Sequence, residues 1–259
     1  MEWNKTKSIL ILVLLAINVF LYYNLERTKA QKFDLPEEYV TDAVAALEKR
    51  DVTVEEGAMP HSRIALPVAE LDSKELLYPV ARAALGDETL QPEIGEEGIR
   101  FSNEAGEFVL LTNTDFTFKP SGEKPDFGNI LKIAGYDKHS YQEDTAGGIR
   151  ILIGGVKVEG CGVTYVDGVY TGTLIDPRQA TLKYVGLIDP VNALLNFADY
   201  ANKAGLGAQT VTSMESIYAL EQEGLFKVLT AEPAYKITSN KIAYLVAAVS
   251  GEVKIYVNS

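Results

Sequence analysis

Val163-Thr-Tyr-Val-Asp-Gly-Val-Tyr-Thr-Gly-Thr-Leu174 decides the fold class of this 259-residue chain. Two runs rich in β-branched and aromatic residues, Val163–Val166 and Val169–Leu174, are parted by Asp167-Gly168 alone. A two-residue Asp-Gly link predicts a hairpin through a type I′ turn, because both central residues must take positive φ. Hairpins join antiparallel strands, so the sheet around this one is expected to be mostly antiparallel.

Working outward, Ile149–Ile153 reads as a strand before the hairpin and Ala180–Leu187 as one after it. Further upstream, Ile99–Ser102 and Glu107–Thr112 flank Asn103-Glu-Ala-Gly, a second hairpin signal, and Thr114–Phe118 adds a strand. Val52–Val54 and Arg63–Val68 are short strands parted by the Gly57–Pro60 loop. The chain finishes with Ala234–Ile237, Ile242–Val249 and Val253–Val257, the last two joined by Ser250-Gly251.

Helices punctuate these strands. Asp34-Leu-Pro-Glu-Glu predicts a helix start with Asp34 as cap, and Val40, Val44 and Leu47 follow at helical spacing. Asp72-Ser-Lys-Glu opens a second helix, Leu76–Leu85, ended by Gly86. Asn129–Tyr136 is a short third. Pro190–Ala204 has Asp189 as cap, Pro190 at its first position and Gly205 past its end. Thr212 or Ser213 caps a further helix, Met214–Gln222, stopped by Gly224. The order of elements gives an α+β class.

The few apolar residues in Tyr136–Gly148 mark a division into two halves, 35–145 and 146–259. An echo, L-I-D-P-x-x-A-x-L, recurs at 174–182 and 187–195. Asp-Pro is a turn and helix-start pair, so the echo is reused local chemistry and not a repeat period.

The net charge is −12, and the first 25 residues, with Lys5, Lys7 and Glu2, contribute none of that acidity. Such a field repels nucleic acid and anionic headgroups, which excludes nucleic acid as the expected partner. Cys161 is the only cysteine, so no intramolecular disulfide can form. That points to a bacterial export route that does not rely on disulfides.

Residues Ile9–Tyr23, ILILVLLAINVFLYY, are apolar except for Asn18, and Leu25 extends the run to about 17 positions. At 1.5 Å per residue this approaches the ~30 Å of a hydrocarbon core. Trp3 and Tyr22-Tyr23 sit where interfacial aromatic belts fall. No small-residue cleavage pattern follows the run, so an uncleaved anchor is expected, in contact with membrane lipid. The chain then reads as a cytoplasmic stub (1–8), a transmembrane helix (9–25), a stalk (26–34) and the two α+β halves outside. A short stub can stay inside while a long domain translocates, although the flanking charges Lys5, Lys7, Arg27, Lys29 and Lys32 are nearly balanced.

Chemistry-bearing motifs are sparse. His61 and His139 are the two histidines; neither is placed by spacing beside a nucleophile, and a Cys161–His139 pair has no supporting motif. No nucleophile elbow, P-loop or zinc-helix motif occurs. One cysteine and two histidines are too few for a recognisable zinc site. The paired carboxylates Glu37-Glu38, Glu55-Glu56 and Glu96-Glu97 fall on apparent turns or helix starts, as solvated positions do. No catalytic, cofactor-binding or metal-binding residue is therefore assigned.

The opening Met-Glu-Trp-Asn-Lys-Thr-Lys-Ser-Ile-Leu-Ile, with Ala16-Ile-Asn-Val-Phe-Leu-Tyr-Tyr23 after it, resembles the start of the YycI (WalI) family of membrane-anchored regulators. Thr212–Leu220, Ala231–Ile237 and Tyr244–Val253 look like that family's last helix, strand and hairpin, and like a PepSY-like module. The middle, about residues 35–205, matches only in its order of elements. The resemblance implies an extracytoplasmic α+β domain of two similar halves without enzyme activity or cofactor. It further implies action, with the anchored protein YycH, on the sensor histidine kinase YycG (WalK), which bears on cell-wall metabolism.

In that setting the partner-facing surface is the membrane helix itself, with Ile9, Leu12, Leu15, Asn18, Val19 and Tyr22 as candidate contacts. An amide such as Asn18 is best satisfied in hydrocarbon by a polar group on a second helix; near the outer interface it would reach water instead. The alternative function is an extracytoplasmic binding module for a peptide, a wall fragment or an exported protease.

Overall fold

The computed structural model describes residues 34–63, 65–71, 77–96, 98–144, 148–221 and 229–256, with positions 11, 13–15 and 17–21 near the N-terminus. The fold is mixed α+β, and most of its strands are antiparallel members of one hydrogen-bonded network.

The Asp-Gly hairpin forms as its residues require. Strands β9 (Val156–Val166) and β10 (Val169–Thr173) pair antiparallel, and Asp167 and Gly168 take φ of 51° and 86°. The second hairpin signal yields β4 (Gly98–Asn103) and β5 (Gly106–Leu110), and β6 (Asp115–Pro120) runs between β5 and β10. Strand β3 (Glu93–Gly95) extends this sheet beyond β4, while β7 (Tyr141–Glu143) and β8 (Ile149–Ile153) extend it beyond β9.

A second group of strands holds β2 (Val68–Leu71), β11 (Ala180–Lys183), β12 (Gln209–Glu221), β13 (Leu229–Ser239), β14 (Ile242–Ala247) and β15 (Val253–Tyr256). Strand β1 (Val52–Val54) adds to β12 in parallel. Strand β9 joins the groups. Its first part lies parallel to β12, pairing Val158 with Tyr218 and Glu159 with Ala219, before it turns to β10. The change of direction falls at Gly160, whose φ is 78°. An extra residue there moves Cys161 to the core side, where Val158 also points, as a bulge does.

Each group buries one face under two helices. Helices α2 (Tyr78–Leu85) and α3 (Phe127–Ile133) cover the first, over Phe101, Phe108, Phe116, Phe118 and Tyr170. Helices α1 (Glu37–Glu48) and α4 (Pro190–Lys203) cover the second, where Leu47, Phe197, Tyr235, Ile237 and Tyr244 meet. These layers do not follow the chain order of a split at residue 145. Strand β10 lies beside β6, β2 lies beside β13, and Leu47 shares a core with Phe197.

Several local expectations need correction. Residues 214–221 do not form a helix; Gln209–Glu221 is strand β12, and the PepSY-like helix assigned there falls with it, while Gln222 and Gly224 lie outside the described residues. Met214, Ile217 and Tyr218 are all buried, Met214 and Tyr218 on the face of Tyr235 and Ile237, and Ile217 on the opposite face beside Ala234. With one buried residue on the second face, the apolar positions fall at i, i+3 and i+4, which fits helical spacing as well as a strand. Asp34 does not cap α1: Pro36 holds the cap position with no side-chain bond, and Asp34 bridges to Ser62 instead. Helix α3 starts two residues early, where Asp126 accepts from the amides of Gly128 and Asn129. The Arg63–Val68 strand shifts to Val68–Leu71.

The L-I-D-P echo is local chemistry in both copies. Asp189 caps α4 by accepting from the Asn192 amide at 2.8 Å, and Asp176 caps a 3-10 turn by accepting from the Arg178 amide at 3.0 Å. In the second case Arg178 returns to the same buried carboxylate, with Nε to Oδ1 at 2.9 Å and Nη2 to Oδ2 at 2.6 Å. It also donates to the Gly135 carbonyl past the end of α3 and lies 5.4 Å from the Tyr136 ring centroid. Arg178→Ala removes this clasp and is expected to cost about 2 kcal/mol, since Asp176 stays buried with less compensation. A melting point lowered by roughly 4–8 °C would show it. Arg178→Lys, which cannot fork, should recover less than half of the loss.

Candidate functional site

Strand periodicity builds the site. Tyr235 and Ile237 of β13 face the helices, so Glu232, Ala234 and Lys236 project from the opposite face. The register sets Ala234 between Ile217 and Ala247, Glu232 beside Ala219, and Leu245 between Lys236 and Lys254. Small side chains in the middle strands and long ones at the margins leave a groove of about 410 Å³ over Ala219, Ala234 and Leu245.

Three carboxylates and one ammonium rim the groove: Glu221, Glu232, Glu252 and Lys254. Lys254 is 3.1 Å from Glu221 and 3.5 Å from Glu252. Glu232 makes no ion pair or hydrogen bond among the described residues. Partial burial, together with the neighbouring Glu221 charge and against the pull of Lys254, holds its carboxyl above the usual glutamate range.

A second hollow of about 270 Å³ adjoins, sharing Ala219, Leu220 and Leu245 and reaching Asp115 and Thr173. Asp115 accepts from Thr173 at 2.6 Å and from Thr112 at 2.9 Å. Glu159, which lines this second hollow, is 7% exposed and held by Lys236 at 2.8 Å and Lys157 at 2.7 Å. The Lys236 ammonium also sits 4.4 Å from the Tyr256 ring centroid. Burial alone would raise the Glu159 carboxyl, but bonds from Lys157, Lys236 and Tyr256 overcome it and bring it down to about 2.

None of these groove residues was legible as a site. The pattern Ala-Glu-Pro-Ala-Tyr-Lys does alternate, yet reading the preceding segment as a helix removed the neighbouring strand against which Glu232 and Ala234 could be placed.

The anchor positions are placed only in part. Leu15, Asn18 and Val19 are helical and exposed, whereas Ile9, Leu12 and Tyr22 lie outside the described residues. Asn18 Nδ2 donates to the Leu14 carbonyl one turn earlier, at 3.0 Å. Among the described residues, no helix is long and apolar enough to cross a membrane.

The other sequence candidates do not converge. Cys161 is a buried free thiol of the first core, and burial, with Asp115 nearby, pushes it well above the usual thiol range. A thiol held neutral in this way is a poor nucleophile. His139 lies exposed in a turn, its amide donating to Asp137 Oδ1, and His61 is exposed beside Leu35, whose amide it accepts through its carbonyl. Glu37, Glu38, Glu55, Glu56 and Glu96 are exposed, and Glu97 lies outside the described residues. No cluster of three or more His, Cys, Asp or Glu side chains among the described residues is arranged to hold a metal.

No protein-family model matches the chain, and no curated protein does. A search of solved structures finds similarity to the crystal structure of an uncharacterized protein from Eubacterium rectale. That match has 10% identity and a TM-score of 0.35, and covers 79% of this chain and 85% of the other. At that score the likeness carries no argument.

Proposed function

We propose that this chain is a non-enzymatic, membrane-anchored regulator that modulates a sensor histidine kinase of the WalK (YycG) type, alongside a YycH-like anchored protein. In this reading the N-terminus is cytoplasmic and the α+β region lies outside the cell. The observation that carries it is the character of the N-terminal helix. Every described position from Ile11 to Leu21 is exposed, and all but Asn18 among them are apolar. An apolar helix whose side chains are not folded into a core needs lipid or another helix around it. Asn18 uses one N–H within its own helix, which keeps its side-chain oxygen as an acceptor for a donor on a second helix. The resemblance of residues 1–25 to the YycI family supplies the identity of that partner.

Replacing Ile9–Tyr23 with an unrelated membrane helix tests the reading. The hybrid should stay in the membrane fraction and lose its effect on kinase phosphorylation. Kinase output indistinguishable from that with the native helix would sink the proposal.

A second reading, a binding module for a peptide or similar ligand, is favoured by the groove over Ala219, Ala234 and Leu245. It predicts activity that survives the helix exchange.

A further inference from the structure

Two features of the groove restrict what can occupy it. Its floor is made of alanines and Leu245, so it takes an aliphatic stem without a specific polar demand. Its rim holds three carboxylates and one ammonium, and that ammonium, on Lys254, is already shared between Glu221 and Glu252. Glu232 is thus left half-buried beside another carboxylate, with no cation of its own among the described residues. A partly desolvated carboxylate in this position is stabilised by a cation supplied from outside.

The adjoining hollow continues the same surface toward Asp115, whose partners among the described residues are hydroxyls and not cations. The groove, about 410 Å³, is at the small end for ligand sites and fits a short segment, not a folded domain. Negative charge therefore recurs along a track floored by apolar atoms, on a chain of net charge −12.

From this complementarity we infer that the groove binds a short basic peptide segment, with the stem of one lysine or arginine on Ala219 and Ala234 and its cationic head on Glu232. The inference rests on the binding-module reading and is independent of the anchor. The protein already shows the same chemistry next door, where Lys236 lies along the sheet with its ammonium on Glu159. The next basic residue of the ligand would reach Asp115.

Fluorescence anisotropy with the full chain in neutral detergent and labelled Ac-Lys-Ala-Lys-Ala-Lys-Ala tests this. Saturable binding is expected, weakened about tenfold in Glu232→Gln, the loss of one charge-assisted contact. Glu93→Gln, an exposed acid on β3, should leave binding unchanged. Glu232→Gln should not lower the melting temperature, since the carboxylate is disfavoured by burial and by Glu221 and has no partner to lose among the described residues.

Lowering the pH should release the peptide before ordinary carboxylates titrate, as Glu232, facing Glu221, Lys254 and Glu252, takes up its proton. Three results would overturn the inference: equal affinity in wild type and Glu232→Gln, equal weakening in Glu93→Gln, or spermine binding as tightly as the peptide. The last would indicate only polycation attraction to an acidic chain. If the helix exchange leaves peptide binding intact, failure of the kinase reading and failure of this one are told apart.

Discussion

Phe108→Ala is expected to cost about 4 kcal/mol and lower the melting temperature by roughly 10 °C. The residue is fully buried on β5, stacked on Phe116 at 4.9 Å between centroids and tilted against Phe118 at 5.7 Å. Phe116 in turn stacks on Phe127 of α3, so the ring joins the sheet to its covering helix. Removing it forfeits apolar burial and leaves a cavity that interlocked aromatics cannot close. The neighbouring substitution Val109→Ala is the control. Val109 points to the other face of the same strand and is only half-buried, so its loss should stay under about 1 kcal/mol. Thermal unfolding of both variants decides the matter. Equal losses would mean that the alternation of β5 does not set which face carries the core.

Glu159→Gln is the second large effect, about 3 kcal/mol at neutral pH, because it leaves Lys157 and Lys236 crowded around a neutral amide. Its pH dependence identifies the cause. The folded carboxyl titrates near 2, below the ordinary glutamate value of 4.5. A depressed value stabilises the folded state in full above pH 4.5, and that contribution declines as pH falls toward 2. Urea unfolding at pH 7, 4 and 2.5 should therefore show wild type and variant converging across that window. Glu215→Gln, an exposed carboxylate on the same face of the sheet, should change stability by less than about 0.5 kcal/mol at each pH. Wild-type and Glu159→Gln curves that stay parallel down to pH 2.5 would show that the ion pairs contribute nothing.

Elements whose signal is local were legible in the chain. Asp167-Gly168 had to be a tight turn because its neighbours are strand-formers and both residues tolerate positive φ. Asp189-Pro190 had to open a helix, since the aspartate meets an orphan amide and the proline lacks one to lose. Gly86 ends α2 with φ of 67° for the same kind of reason. Ile99–Ser102, Glu107–Thr112 and Thr114–Phe118 were legible as strands around an Asn-Glu-Ala-Gly turn, and β4, β5 and β6 form there. In each of these, a few consecutive residues hold all the information.

What depends on distant neighbours was not legible. Met214–Leu220 has the spacing of a helix and becomes a strand only because β13 and β9 satisfy its backbone on either side. The groove followed from that outcome, since Glu221, Glu232 and Lys254 belong to three strands brought together by register. Glu159 reads as one acid among many until β9 pairs with β12 and β12 with β13, which sets Lys236 beside it as well as Lys157. By itself, then, the sequence determined the α+β class, the hairpins, the helix ends and an apolar N-terminal run. Only the tertiary structure decided which strands share a face, because periodicity and capping act within about ten residues, whereas strand register is a contest among segments far apart in the chain.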